Sequence, residues 1–171
     1  SSMALDEQKV GLDEYLSDAP VWVGDWTEYP ISCWAEDYGF NHGAVTLGEA
    51  IMHSCNPPFV HLALRLGIDK FYDYINLMGM NERTGIDLPA ESVGLVHQDP
   101  NVVDMATLAI GEQSTITGIR LAQLYAALGN GGNMMTPHIA DTLLDNDGNV
   151  VRQFKPEIQR RVFSAESTRL V

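Results

Sequence analysis

Between Thr46 and Leu66 the chain reads as a helix, a break and a second helix, and this stretch constrains the fold more than any other. Thr46 can N-cap the first helix, and Glu49 three residues on completes a capping box. Pro57-Pro58 suits a first helical turn, where the amide hydrogens have no partners. Phe59, Leu62, Ala63 and Leu66 then recur at helical spacing until Gly67 stops the run. A residue before proline resists the α conformation, so Asn56 is expected in the break itself. The tripeptide Ser54-Cys55-Asn56 therefore holds a hydroxyl and a carboxamide between two apolar helices, where both can face a cleft. The same two side chains can equally serve as ordinary helix-end partners.

The flanking chain reads as support. Ser2 to Lys9 resemble the last turns of a helix, with Gly11 as its stop, and residues 12–42 have no sustained period. That region is rich in Trp22, Trp26, Tyr29, Trp34 and Tyr38, which predicts an ordered loop packed on its own aromatics, with short strands at most. Asp69 is expected to cap a helix carrying Phe71, Ile75 and Met78. A Gly/Pro-punctuated connection follows over 80–98, with a short extended piece at Ile86 to Leu88, and then a helix from near Pro100 to Ile110. Thr115 or Thr117 caps a long helix that Asn130-Gly131-Gly132 ends. Asp145-Asn146-Asp147-Gly148 marks a β-hairpin near 138–154, and Ser164 caps a last helix. The expected organisation is one domain or a large part of one: a loop-rich lead-in over 1–42, a helical core over 43–132, and a hairpin with C-terminal helix over 133–171.

The chain has 171 residues, 45% of them hydrophobic and 19% charged, which suits a globular domain with a real core. Its formal net charge of -13 disfavours nucleic acid and anionic membrane surfaces as partners. No apolar run approaches the ~20 residues of a membrane span.

Several segments around the tripeptide carry a family likeness. Gly43-Ala44-Val45-Thr46-Leu47 leads in, and Ala63-Leu64-Arg65-Leu66-Gly67 follows. Beyond them come Thr84-Gly85-Ile86-Asp87-Leu88-Pro89-Ala90-Glu91 and the run from Leu121 to Gly132. In this order, over nearly the whole chain, the series resembles the transpeptidase domain of class B penicillin-binding proteins, the enzymes that cross-link peptidoglycan. The resemblance implies a mainly α fold with a β-hairpin: the helical subdomain of the penicillin-binding protein and serine β-lactamase-like fold, its central sheet largely missing. It also implies an exported parent, on the outer face of a bacterial cytoplasmic membrane, held by an anchor outside this chain.

That superfamily works with three motifs, Ser-x-x-Lys, Ser-x-Asn and Lys-Thr-Gly. Ser54 and Asn56 match the second, so the resemblance makes Ser54 a proton relay and Asn56 the group that positions substrate. Asp6, Gly67 and Arg152 stand three residues before Lys9, Lys70 and Lys155, so no Ser-x-x-Lys occurs. Lys9-Val10-Gly11 lacks the hydroxyl of the third motif and stands before Ser54 instead of after it. The nucleophilic serine and its lysine base are therefore expected outside this chain, before Ser2, and the Lys-Thr-Gly strand beyond Val171. Covalent catalysis needs nucleophile and base within hydrogen-bond reach, so the chain alone is expected to be inert. The implied parent is a D,D-transpeptidase that takes peptidoglycan stem peptides and binds β-lactams. A non-catalytic interaction module, and a β-lactamase or β-lactam sensor of the same superfamily, are the alternative readings. An apolar face left by the missing sheet would favour a dimer.

Two departures stand out. Gly111-Glu112-Gln113 replaces the family's Gly-Gln-Gly, and Thr117-Gly118-Ile119-Arg120 replaces Thr-Pro-Leu-Gln, which loses a preset helix start and adds a charge. The two cysteines, Cys33 and Cys55, are either buried free thiols or, given the implied export, a disulfide that ties the preceding loop to the Ser-x-Asn edge. The five histidines form no His-Glu-x-x-His pattern and pair with no Cys-x-x-Cys, so no metal and no cofactor are expected.

Overall fold

The computed structural model describes residues 1–24, 28–97 and 101–171. In chain order the elements are α1 (Ser2–Asp6), β1 (Leu16–Ser17), a 3-10 helix (Trp34–Tyr38), β2 (Ala44–Val45), α2 (Leu47–Met52), α3 (Asn56–Leu66) and α4 (Ile68–Leu77). They continue with α5 (Val102–Ala109), α6 (Gly118–Gly129), β3 (Asn133–Met135), β4 (Thr142–Leu144), β5 (Val150–Gln153), β6 (Ile158–Arg161) and α7 (Ala165–Thr168). Seven helices with small two-stranded sheets, all antiparallel, make the described residues mainly α.

Helix α3 is the post around which α1, α2, α4, α5 and β1 pack. Its buried residues include Val60, Leu62, Ala63 and Leu66, and they feed three different apolar clusters. Ala63 and Leu66 join Phe71, Tyr72 and Ile75 of α4 and Met105 of α5. Leu62 meets Leu5, Leu16 and Leu47, and Val60 meets Val21, Val23 and Ala106. Each fully buried side chain of this size contributes about 1.5–3 kcal/mol, so a helix apolar on three sides is held by its surroundings more than by its own propensity.

The local signals mostly resolve as expected. Thr46 and Glu49 form the capping box of α2. Thr117 caps α6, Ser164 caps α7, and β4 and β5 form the hairpin. The expected start of α5 at Pro100 lies outside the described residues, and Asn101 is its N-cap.

Four expectations are corrected. Helix α1 stops at Asp6, short of Lys9, because the chain turns through a left-handed Gln8 at φ 53°. Gly67, not Asp69, caps α4. At φ 85° and ψ 154°, a conformation open essentially to glycine alone, Gly67 donates to Ala63 and accepts from Phe71, ending one helix and starting the next. Ile86 to Leu88 form no strand: Glu91 folds back to accept from the Thr84 and Gly85 amides, while Asp87 accepts from Ile139 and Ala140. Asn56 is the first residue of α3 and not part of the break: Cys55 is the N-cap, and the prolines that follow suit the first turn, where amide hydrogens have no partners.

Beyond the hairpin, β3 pairs with β6, Asn133 opposite Arg161. This pair seats Met134, Val162 and Phe163 against Tyr74 and Ala127.

Candidate functional site

The Ser54-Cys55-Asn56 corner is built by hydrogen bonds that close α2 and open α3. His53 and Cys55 donate to the Glu49 and Ala50 carbonyls at 2.8 and 3.0 Å, and Ser54 donates to Ile51 at 3.1 Å. Ser54 sits in the left-handed region at φ 52°, which costs a non-glycine residue about 1–2 kcal/mol. Cys55 then returns to extended backbone and caps α3. One residue per direction results: Ser54 is exposed, Cys55 is fully buried and Asn56 is half-buried. The left-handed turn at Ser54 thus separates an exposed residue from a buried one.

The pin is an aromatic loop. Trp34 Nε1 donates to the His53 carbonyl at 2.8 Å, just ahead of Ser54. The Trp34 ring makes edge contacts with Tyr38, Phe40 and His42 at 5.7–5.9 Å, so much of the loop packs on its own aromatics. Trp34, Tyr38 and Phe40 nevertheless stay exposed, as do Trp22 and Tyr29, and Trp26 lies outside the described residues. His42 stacks on His53 at 4.6 Å.

Cys33 and Cys55 are both buried and both free thiols, packed with Ala35. Burial first, then the neighbouring Cys33 and the field of Asp18, push the Cys55 thiol up to about 12. Cys33 Sγ lies 3.3 Å from His42 Nδ1, and the donor atoms of Cys33, His42 and Cys55 all lie within 4.8 Å of one another. His42 is the residue that sequence reasoning missed, since no known spacing links it to either cysteine.

Arg120 is buried. Its Nη1 donates to Gln123 Oε1 at 2.6 Å and its Nη2 to the Glu82 carbonyl at 3.2 Å, with Met134 Sδ 3.4 Å away. Burial lowers its pKa. It therefore ties α6 to β3 and the Glu82 turn, and is no cleft residue. An apolar cavity of about 310 Å³, lined by Met3, Phe59, Leu66, Ile75 and Leu108 among others, does not include Ser54 or Asn56. Among the described residues no helix is long and apolar enough to cross a membrane.

The model of the penicillin binding protein transpeptidase domain matches residues 1–171. The chain is 34% identical, over 98% of its length, to stage V sporulation protein D of Bacillus subtilis (strain 168), and covers 26% of that protein. It is 32% identical to the peptidoglycan D,D-transpeptidase MrdA of Acinetobacter baumannii over 57% of its length, covering 16% of that protein. Penicillin binding protein 3 from Mycobacterium tuberculosis, solved with aztreonam, superposes with a TM-score of 0.81 at 25% identity, over 98% of this chain and 36% of that one. A match that runs end to end, around a Ser-x-Asn corner between two apolar helices, places this chain in the penicillin-binding protein transpeptidase domain family.

Proposed function

We propose that this chain is the Ser-x-Asn-bearing part of a serine D,D-transpeptidase that cross-links peptidoglycan. The observation that carries the reading is the corner itself: a left-handed, exposed Ser54 and a half-buried Asn56 held between two packed helices. The chain covers only 26% of the stage V sporulation protein D that it matches, so the catalytic apparatus of the parent is shared with other segments. Ser54 relays a proton to or from the acylating serine, and Asn56 holds the amide side of a stem peptide or a β-lactam. The nucleophile and its lysine base come from a Ser-x-x-Lys helix that packs beside Ser54. The lead-in over 1–42, the helical core over 43–132 and the segment 133–171 form one helical subdomain, which the central sheet of the parent completes. The parent works on the outer face of the cytoplasmic membrane, where its substrate lies.

Intact mass before and after incubation with a penicillin tests the division of labour. The 171-residue chain gains no adduct, while the longer parent gains one penicilloyl group. In the parent, Ser54→Ala slows acylation about 10²–10⁴-fold, the usual loss for a positioned proton-transfer group. An adduct on the isolated chain, or undiminished acylation in the Ser54→Ala parent, would overturn the reading.

A further inference from the structure

Three soft donors converge from three separate elements. Cys33 caps the 3-10 helix, His42 lies in the loop before β2, and Cys55 caps α3. Two sulfurs alone would suit a disulfide or a plain dithiol. The third donor changes the chemistry, because His42 Nδ1 is aimed at Cys33 Sγ and lies within 4.8 Å of both sulfurs.

The imidazole is also held in place. Its ring is stacked on His53 on one face and met by Trp34 and Phe40 at its edges. Its backbone amide donates to Asp18 Oδ2 at 2.6 Å, and the Gly43 amide donates to the same oxygen at 2.8 Å. Asp18 is itself buried.

We infer that Cys33, His42 and Cys55 are a three-ligand site for a thiophilic divalent cation of the zinc class, with a fourth position open. Thiolates and imidazole suit zinc, whereas calcium and magnesium need a shell of oxygens that this cluster lacks. Metal–sulfur and metal–nitrogen bonds of about 2.3 and 2.0 Å put such donors roughly 3.5 Å apart, so only small shifts are needed. Binding releases one proton from each thiol, and the two thiolates then balance the charge of the ion. Cys55 stands between Ser54 and Asn56, so the ion clamps the Ser-x-Asn corner onto the Cys33 loop. The inference rests on the donor geometry and not on the proposed transpeptidase activity.

Cobalt titration of the reduced, metal-free protein provides the test. One equivalent of Co²⁺ is expected to give thiolate-to-cobalt charge-transfer absorption, and Zn²⁺ to displace it. His42→Ala should weaken cobalt binding at least ~10-fold, as loss of even an outer partner does, and Cys55→Ser should remove most of the charge-transfer band. Circular dichroism checks that both variants are folded. If either is not, the unmutated protein decides: Zn²⁺ should slow iodoacetamide labelling of both thiols at least tenfold. A reduced protein without the cobalt band, a folded His42→Ala variant with unchanged affinity, or labelling that zinc does not slow would each overturn the site.

Discussion

The indole N–H of Trp34 donates to the carbonyl of His53 at 2.8 Å, and so anchors the peptide that enters Ser54 from a loop nineteen residues earlier. The bond matters because Ser54 occupies a left-handed conformation that its own side chain does not favour. Trp34→Phe keeps the aromatic packing and removes only the donor. It is expected to cost about 1 kcal/mol in urea denaturation, and to slow penicillin acylation of the parent more than this loss of stability explains. Unchanged acylation would mean that the corner holds its shape without the indole.

Asp6 joins both ends of the chain. Its Oδ1 accepts from the Ser164 amide at 2.9 Å and the Ser167 hydroxyl at 2.8 Å, while its Oδ2 accepts from the Tyr74 hydroxyl at 2.5 Å. Burial raises its pKa, but the hydrogen bonds from Ser164, Tyr74 and Ser167 together outweigh it and the net direction is down. A carboxylate with a depressed folded pKa stabilises above its unfolded pKa, and that stability is lost as pH falls through the folded value. Asp6→Asn should therefore destabilise at about pH 7 by roughly 1–3 kcal/mol, and the difference from the unmutated chain should shrink below about pH 4. Urea melts at several pH values measure both.

Gly132 has φ 89°, and a Cβ there would stand 1.9 Å from the Phe163 carbonyl oxygen. The β3–β6 pair closes at this point, with Val162 donating to the Gly132 carbonyl at 2.8 Å. Gly132→Ala is expected to destabilise by more than about 2 kcal/mol, through backbone strain and displacement of β6. Thermal unfolding reads the loss directly.

Arg120→Ala removes a buried side chain and leaves Gln123 Oε1 and the Glu82 carbonyl without their donor. The expected cost is about 3 kcal/mol or more, from unpaired polar atoms and the cavity together. Arg65→Ala breaks an exposed pair with Glu14 and a 3.5 Å contact to the Lys9 carbonyl, and should fall within the scatter of surface changes. Parallel denaturation curves check the contrast.

Cys33 and Cys55 face each other as thiols, so an oxidant can join them. Diamide should convert the metal-free protein to a form about 2 Da lighter, with one disulfide, and should leave zinc-loaded protein with both thiols. Equal oxidation in the two samples would mean that no ion covers the sulfurs.

What the sequence determined by itself is the local order: the capping box at Thr46, the stop at Gly67, the cap at Ser164, and the helix break that contains Ser54. Each depends on groups within a few residues, so side-chain chemistry and spacing suffice to read it. The family likeness was legible for the same reason, carried by short runs around those breaks. Tertiary structure alone decided the rest. It brought His42 to the two cysteines, buried Arg120 beneath β3, and paired β3 with β6 across more than twenty intervening residues. It also placed the start of α3 at Asn56, with Pro57 and Pro58 buried behind it. These outcomes depend on which apolar faces meet, a non-local balance of burial against chain entropy that no stretch of sequence holds by itself.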